Sequence, residues 1–265
     1  MHLLTRRNSL GAVRAVILLW FLLISAAFTV KAGSGDLWKT VNGECVPNQQ
    51  VHSDPAPCSE VNVSKGVDSG FAVLKDGDPS KPHAYLLIPT LRIMGIESAA
   101  VLARGSPNYF DDAWASRSYL VNLLKAPIAW DMVGLAVNSA KDRTQDQLHI
   151  HIDCVRSDIR CTLRSKENVF DNLWSELKLP APDHPYMTTK LATDSLEGSN
   201  PFRLLADGIA GAKDLMGLET LVVVGAVFKD GKRGFYLLSS RHGASVSARG
   251  EDLLDPDCQL AGVTK

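Results

Sequence analysis

An alternating stretch, Gln147-Leu148-His149-Ile150-His151-Ile152, constrains this chain more than any other. Side chains two apart on a β-strand leave the same face, so His149 and His151 point together into one space while the apolar residues between them bury the opposite face. Two imidazoles converging on one space suit a metal ion or a phosphorus centre. Other extended segments bracket this one. Gly70–Leu74 and Tyr85–Thr90, separated by the turn-rich Asp76-Gly77-Asp78-Pro79, read as a hairpin. Met132–Val137 leads through the polar turn Asn138 to Arg143 into the histidine strand as a second hairpin. Thr220–Phe228 and Gly234–Ser239 flank Asp230-Gly231 as a third.

Helical spacing appears between these strands. Pro107–Ala126 places Tyr109, Ala113, Trp114, Tyr119, Leu120, Leu123 and Leu124 on one stripe, with Trp114 expected in the core. A second helical pattern runs from Asp158 towards Leu177 and stops at Pro180 and Pro182; a third opens at Asn200-Pro201 and closes at Gly217. Strands joined as hairpins, with helices on one side, predict an α+β fold built on an antiparallel sheet.

The 265 residues carry 28 Lys+Arg against 29 Asp+Glu, a balance that gives no sign of a polyanion-binding surface, so no nucleic-acid partner is expected. With 45% hydrophobic residues the chain can bury one substantial core behind a leader segment. Arg6, Arg7 and Arg14 precede Ala15–Val30, which holds no charge, and Lys31 follows it. A helix of that length reaches roughly 24 Å, enough to cross a locally thinned bilayer. The arginines place the N-terminus in the cytoplasm and the remaining chain outside. Residues 1–32 are thus read as an n-region and a single membrane anchor, and 33–265 as a periplasmic domain. Val30-Lys31-Ala32 is a weak cleavage site, and the expectation is an uncleaved anchor.

Five cysteines agree with export. Cys45 and Cys58 enclose a short loop rich in Pro, Asn, Gln and Ser that has little to bury, and are natural partners. The second bridge is less constrained. Cys154–Cys258, clamping the C-terminal tail onto the histidine strand and leaving Cys161 free, is the expected pairing.

In order along the chain, Tyr85-Leu86-Leu87-Ile88-Pro89-Thr90-Leu91-Arg92-Ile93, then Asn138, Gln145 seven residues on, and His149 and His151 four and six further, resemble the strand-and-turn and active-site hairpin of the histidine-triad superfamily. Cys45-Val46-Pro47-Asn48-Gln49-Gln50, Leu87-Ile88-Pro89-Thr90 and Arg143-Thr144-Gln145 running on to Cys154 are similar, within it, to the bacterial CDP-diacylglycerol pyrophosphatases. The resemblance implies a membrane-anchored hydrolase that cleaves CDP-diacylglycerol to CMP and phosphatidate through a cytidylyl-histidine intermediate, with no cofactor and no resident metal. It assigns His151 as nucleophile, His149 as its orienting neighbour, and Asn138 and Gln145 as hydrogen-bond donors to phosphate. Neutral imidazole is a good nucleophile and needs no separate base.

Two positions depart from the superfamily pattern: Asp153 stands where a third histidine is usual and Arg92 where a distal one is. An ionised Asp153 would repel phosphate, so it is expected to pair with His151 or Arg92, and Arg92 to clamp a phosphate. His184, in Asp183-His184-Pro185-Tyr186, also matches the family and is a candidate substrate contact. His2, His52, His83 and His242 read as solvated. The superfamily's pairing through its sheets leaves a homodimer open. The alternatives are a nucleotidyl transferase that passes CMP to another acceptor, and an exported metal-binding module with His149, His151 and Asp153 as ligands.

Overall fold

The computed structural model describes residues 35–259, and among them a ten-stranded antiparallel sheet forms the frame. Its strands are β1 (Glu60–Asn62), β2 (Phe71–Lys75), β3 (Tyr85–Pro89), β4 (Val133–Val137), β5 (Ile150–Val155), β6 (Ser175–Lys178), β7 (Pro185–Leu191), β8 (Leu221–Val227), β9 (Arg233–Ser239) and β10 (Leu254–Asp255). They run in the order β1-β2-β3-β5-β4-β8-β9-β7-β6, with β10 paired to the end of β5. The three hairpins read from the sequence are β2–β3, β4–β5 and β8–β9. At the last of these Gly231 takes a φ of 82°, which only glycine adopts without cost, and Lys232 N donates to Asp230 Oδ1.

Helices cover both faces of the sheet and not one. On the first face α3 (Tyr109–Leu124) and α5 (Pro201–Gly208) bury Tyr109, Phe110, Trp114 and Phe202 against Leu87, Leu135, Ile150, Ile152, Val223 and Leu237. On the second face α4 (Ser157–Ser165) packs Ile159 and Leu163 against Ala136, Val222 and Val224. Beside it a continuous helical run, α1 (Asp36–Thr40), a π-helical turn (Val41–Cys45) and α2 (Val46–His52), buries Leu37, Val41 and Val46 against Ala72, Leu86 and Ile88. The sign of two-sided burial was present in Leu221-Val222-Val223-Val224, which is apolar at every position and does not alternate.

Several boundaries differ from the expectation. The segment after Asp158 leaves the helix at Ser165 and becomes β6, which pairs with the unforeseen β7; its apolar spacing served a sheet edge. The helix capped by Asn200, whose side chain accepts from Phe202 N and Arg203 N, ends at Gly208 and not at Gly217. The cysteine loop is largely helix α2, with Pro47 in its first turn where a missing N–H costs nothing. Both disulfides form as expected, Cys45–Cys58 and Cys154–Cys258, and Cys161 is free and exposed. The anchor assigned to residues 1–32 lies outside the described residues, among which no helix is long and apolar enough to cross a membrane.

Candidate active site

Strand β5 lies between β3 and β4, with His151 registered against Leu86 on one side and Ala136 on the other. Ile150 and Ile152 are wholly buried in the first-face core, which turns His151 and Asp153 onto the second face between the α1–α2 and α4 clusters. The strand begins three residues later than the alternation implied, because Gln147 is otherwise engaged. Its buried amide donates to Pro89 O and Leu91 O, both at 3.0 Å, and accepts from Ile93 N at 3.3 Å, bracketing the turn that leaves β3. His149 Nδ1 then lies 2.7 Å from Gln147 O. A carbonyl only accepts, so the proton sits on Nδ1 and the Nε2 lone pair of the neutral ring is free.

The two rings meet edge to face with centroids 5.0 Å apart. Burial lowers the pKa of both, and although Glu251 pulls the other way on His151, burial prevails; both rings are uncharged near neutral pH. His151 Nε2 is buried and, among the described residues, without a hydrogen-bond partner, its nearest carboxylate oxygen being Glu251 Oε2 at 3.9 Å. In the tautomer that carries its proton on Nδ1, such a buried, uncharged ring nitrogen has a lone pair to offer an electrophile.

That cluster centres on Glu251. Asn138 Nδ2 donates to its Oε1 at 2.9 Å and Arg249 donates to the same oxygen at 2.7 Å, while Lys81 donates to Oε2. Glu251 N returns a bond to Asn138 Oδ1 at 3.3 Å. Burial opposes ionisation of Glu251, while the hydrogen bond and charge of Lys81 and the charge of Arg249 favour it and lower the carboxyl's pKa. Lys81 comes from the β2–β3 turn, Asn138 from the end of β4, Glu251 from a strap, Gly250–Leu253, that feeds β10, and Arg249 from the residue that caps the strap's start. Gly250 lets the strap lie flat on the sheet, since a Cβ there would stand 2.7 Å from Thr220 Oγ1 and 2.9 Å from Val222 Cγ2. Asp142 steadies the approach to the strap by accepting from Ser139 Oγ, Ser247 Oγ, Ala248 N and His242 Nδ1. His83 Nδ1 donates to Pro256 O at 2.8 Å, so neither His242 nor His83 is the solvated residue expected.

Asp153 departs from expectation too. It pairs with neither His151 nor Arg92: it is 2% exposed, and its Oδ1 accepts from Cys154 N at 2.8 Å. Burial, helped by Asp255, pushes its pKa up to about 8, so the group is mostly a neutral acid at pH 7 and does not repel phosphate. Between the unfolded value near ~3.9 and the folded value the native state holds a proton that the unfolded chain has released, so this group makes stability fall as pH rises from about 4 to 8. Asp153→Asn removes that loss. In denaturant unfolding it is expected to match the parent below about pH 4 and exceed it at pH 9 by on the order of a few kcal/mol. Equal stability at pH 9 would mean that the native carboxyl titrates in the ordinary carboxylate range.

The remaining sequence candidates lie around this centre. Gln145 Oε1 accepts from Leu37 N at 3.1 Å and so holds the start of α1. Arg92 is exposed, its guanidinium 5.3 Å from the centroid of the Trp38 ring. His184, at the entrance to β7, stacks on Tyr186 with centroids 5.0 Å apart. Of the sequence candidates, His149, His151, Asn138 and Asp153 gather at one place, and Glu251, Lys81 and Arg249 join them without having been foreseen. Lys81 and Glu251 are 170 positions apart, and no local pattern marks either. A metal centre on His149, His151 and Asp153 finds no support in the geometry. Among the described residues the one grouping of potential ligands is Asp153 with Cys154 and Cys258, and those two sulfurs are joined to each other.

A family model described as CDP-diacylglycerol pyrophosphatase matches residues 32–262. A curated relative from Yersinia pestis, named CDP-diacylglycerol pyrophosphatase, is 38% identical over 253 residues, spanning 93% of this chain and 94% of that protein. Every residue of the β5 centre falls inside the matched region. The chain belongs to the CDP-diacylglycerol pyrophosphatase family.

Proposed function

We propose that this chain hydrolyses the diphosphate of CDP-diacylglycerol, giving CMP and phosphatidate, with His151 as nucleophile. The observation that carries the mechanism is His151 Nε2, buried, uncharged and, among the described residues, without a hydrogen bond, 3.9 Å from the Glu251 carboxylate on which Asn138 and two cationic side chains converge. In the first step Nε2 attacks the cytidine-side phosphorus, the bond from that phosphorus to the bridging oxygen breaks, and the electron pair leaves with phosphatidate. In the second, water attacks the same phosphorus, the nitrogen–phosphorus bond breaks back onto the ring, and CMP departs with release of one proton. Preorganised donors such as the Asn138 amide stabilise charge developing on the phosphoryl oxygens without a change of protonation. His149, its tautomer fixed by Gln147, packs edge-on against His151 and orients it.

Location follows the same reading. Two disulfides favour an oxidising compartment, and the uncharged run Ala15–Val30 with arginines before it favours an inner-membrane anchor with the catalytic domain on the periplasmic side. A tether suits a substrate confined to a bilayer by raising its effective concentration at the site.

The test is direct. With CDP-diacylglycerol labelled on the cytidine-side phosphate, quenching turnover in alkali, which spares a phosphorus–nitrogen bond, is expected to leave label on the peptide containing His151. Fragmentation then reads which ring carries it. Label on His149 would transfer the role to that residue, and a protein without label would remove the covalent step.

A further inference from the structure

We infer that Lys81 and Arg249, with Asn138, form the binding site for the substrate's diphosphate, and that the Glu251 carboxylate occupies that site as a stand-in until substrate displaces it. The inference rests on the hydrolase reading above and adds to it two binding residues and a gate.

A carboxylate and a phosphate present the same chemistry to their surroundings: anionic oxygens that accept charge-assisted hydrogen bonds. Glu251 takes such bonds from an ammonium, a guanidinium and an amide, and its Oε2 lies 3.9 Å from the His151 nitrogen. That is the arrangement of donors a phosphoryl group needs when the same nitrogen attacks it. The guanidinium has capacity to spare. Among the described residues Arg249 Nε has no hydrogen-bond partner, and Asp252 Oδ1 lies 3.5 Å from it. A diphosphate, with more oxygens than a carboxylate, would use it.

Space leads to the same conclusion. The cavity lined by Lys81, Ala84, His151, Asp153, Glu251, Leu254 and Pro256 measures about 50 Å³, room for one or two waters. A diphosphate does not fit beside Glu251. The backbone under Glu251 is pinned by its bond to Asn138 Oδ1 at 3.3 Å, by Arg156 N to Leu253 O at 3.1 Å and by the disulfide to Cys258, so the residue that yields is the side chain. Its rotation outward frees all three donors at once, and substrate phosphates then replace the charge they lose. Substrate without the diphosphate has nothing with which to displace it.

The test uses the full chain and inorganic diphosphate, so that it does not depend on turnover of lipid. If Glu251 fills the site most of the time, the parent chain's apparent affinity is reduced by the fraction of time the site is blocked. Glu251→Gln, and Glu251→Ala as a second variant, are expected to bind diphosphate at least about tenfold more tightly than the parent in calorimetric titration. Both variants should melt lower than the parent without diphosphate, because two cations lose their partner, and recover on its addition. Adding Lys81→Met or Arg249→Met to Glu251→Gln should abolish the gain. Glu251 variants that bind diphosphate no more tightly than the parent would overturn the inference. So would a tightening that survives loss of Lys81 and Arg249. Glu251→Gln that accumulates cytidylyl-histidine and stalls would overturn it as well, by making Glu251 the base that activates water. A parent chain that leaves CDP-diacylglycerol uncleaved while the Glu251 variants tighten as described would sink the hydrolase reading alone.

Discussion

His151→Gln is expected to lower kcat for CDP-diacylglycerol by on the order of 10⁴-fold or more, a loss of at least about 5 kcal/mol in transition-state stabilisation. The size follows from the kind of group removed. Glutamine preserves bulk and polarity at a site that is 5% exposed, so the sheet should hold, yet its amide nitrogen has no lone pair to give phosphorus. His149→Gln removes the ring packed edge-on against His151 and leaves His151 itself, so its deficit should be smaller, about 10²-fold, and should leave label on His151 during turnover. A difference also belongs in the pH profile. Burial holds the His151 ring neutral well below the usual histidine range, so the parent should show no loss of kcat from ring protonation between pH 8 and pH 6. A His151→Gln protein that retains turnover within tenfold of the parent would remove the mechanism.

The second large effect concerns the bridge behind the site. Cys154–Cys258 spans 104 positions and Cys45–Cys58 spans 13. Chain-entropy reasoning assigns about 4–5 kcal/mol to a cross-link over the longer separation and about 3 kcal/mol to one over the shorter. In a Cys161→Ser background, which removes the exposed free thiol and with it disulfide exchange, Cys154→Ala/Cys258→Ala should lose more stability in urea than Cys45→Ala/Cys58→Ala. Activity should separate the pairs further. Cys258 closes the segment that carries Arg249, Glu251 and β10 onto β5, so its loss loosens two of the charged groups around His151. Cys45 holds the helical cover of β2 and β3, which carries none of those charged groups. Equal stability of the parent and the Cys154/Cys258 variant would show that the strap is held by its hydrogen bonds alone.

How legible the molecule is in its sequence depends on how far each interaction reaches. β5 is readable because a period of two needs only neighbouring residues, and Ile150 and Ile152 announce the buried face on their own. Asp230-Gly231 likewise specifies its hairpin locally, through a φ that other residues resist. Where local pattern and tertiary pairing disagreed, pairing prevailed. Ser175–Lys178 had helical spacing and became an edge strand because β7 was available to it, and Gln147 left its strand to bracket the turn after β3.

The alternation of residues 147–152 was enough to put two histidines on one strand face, and the loop between Cys45 and Cys58 enough to pair those cysteines. The charge state of the centre was not available at that level. Asp153 is a neutral acid because the fold removes it from water, and the His151 ring is uncharged for the same reason. Glu251, Lys81 and Arg249 stand beside it because a strap near the C-terminus crosses a turn 170 positions earlier. Periodicity acts over a few residues, whereas solvation and Coulomb forces depend on whatever the finished fold brings within a few ångströms, and only the tertiary structure decides that.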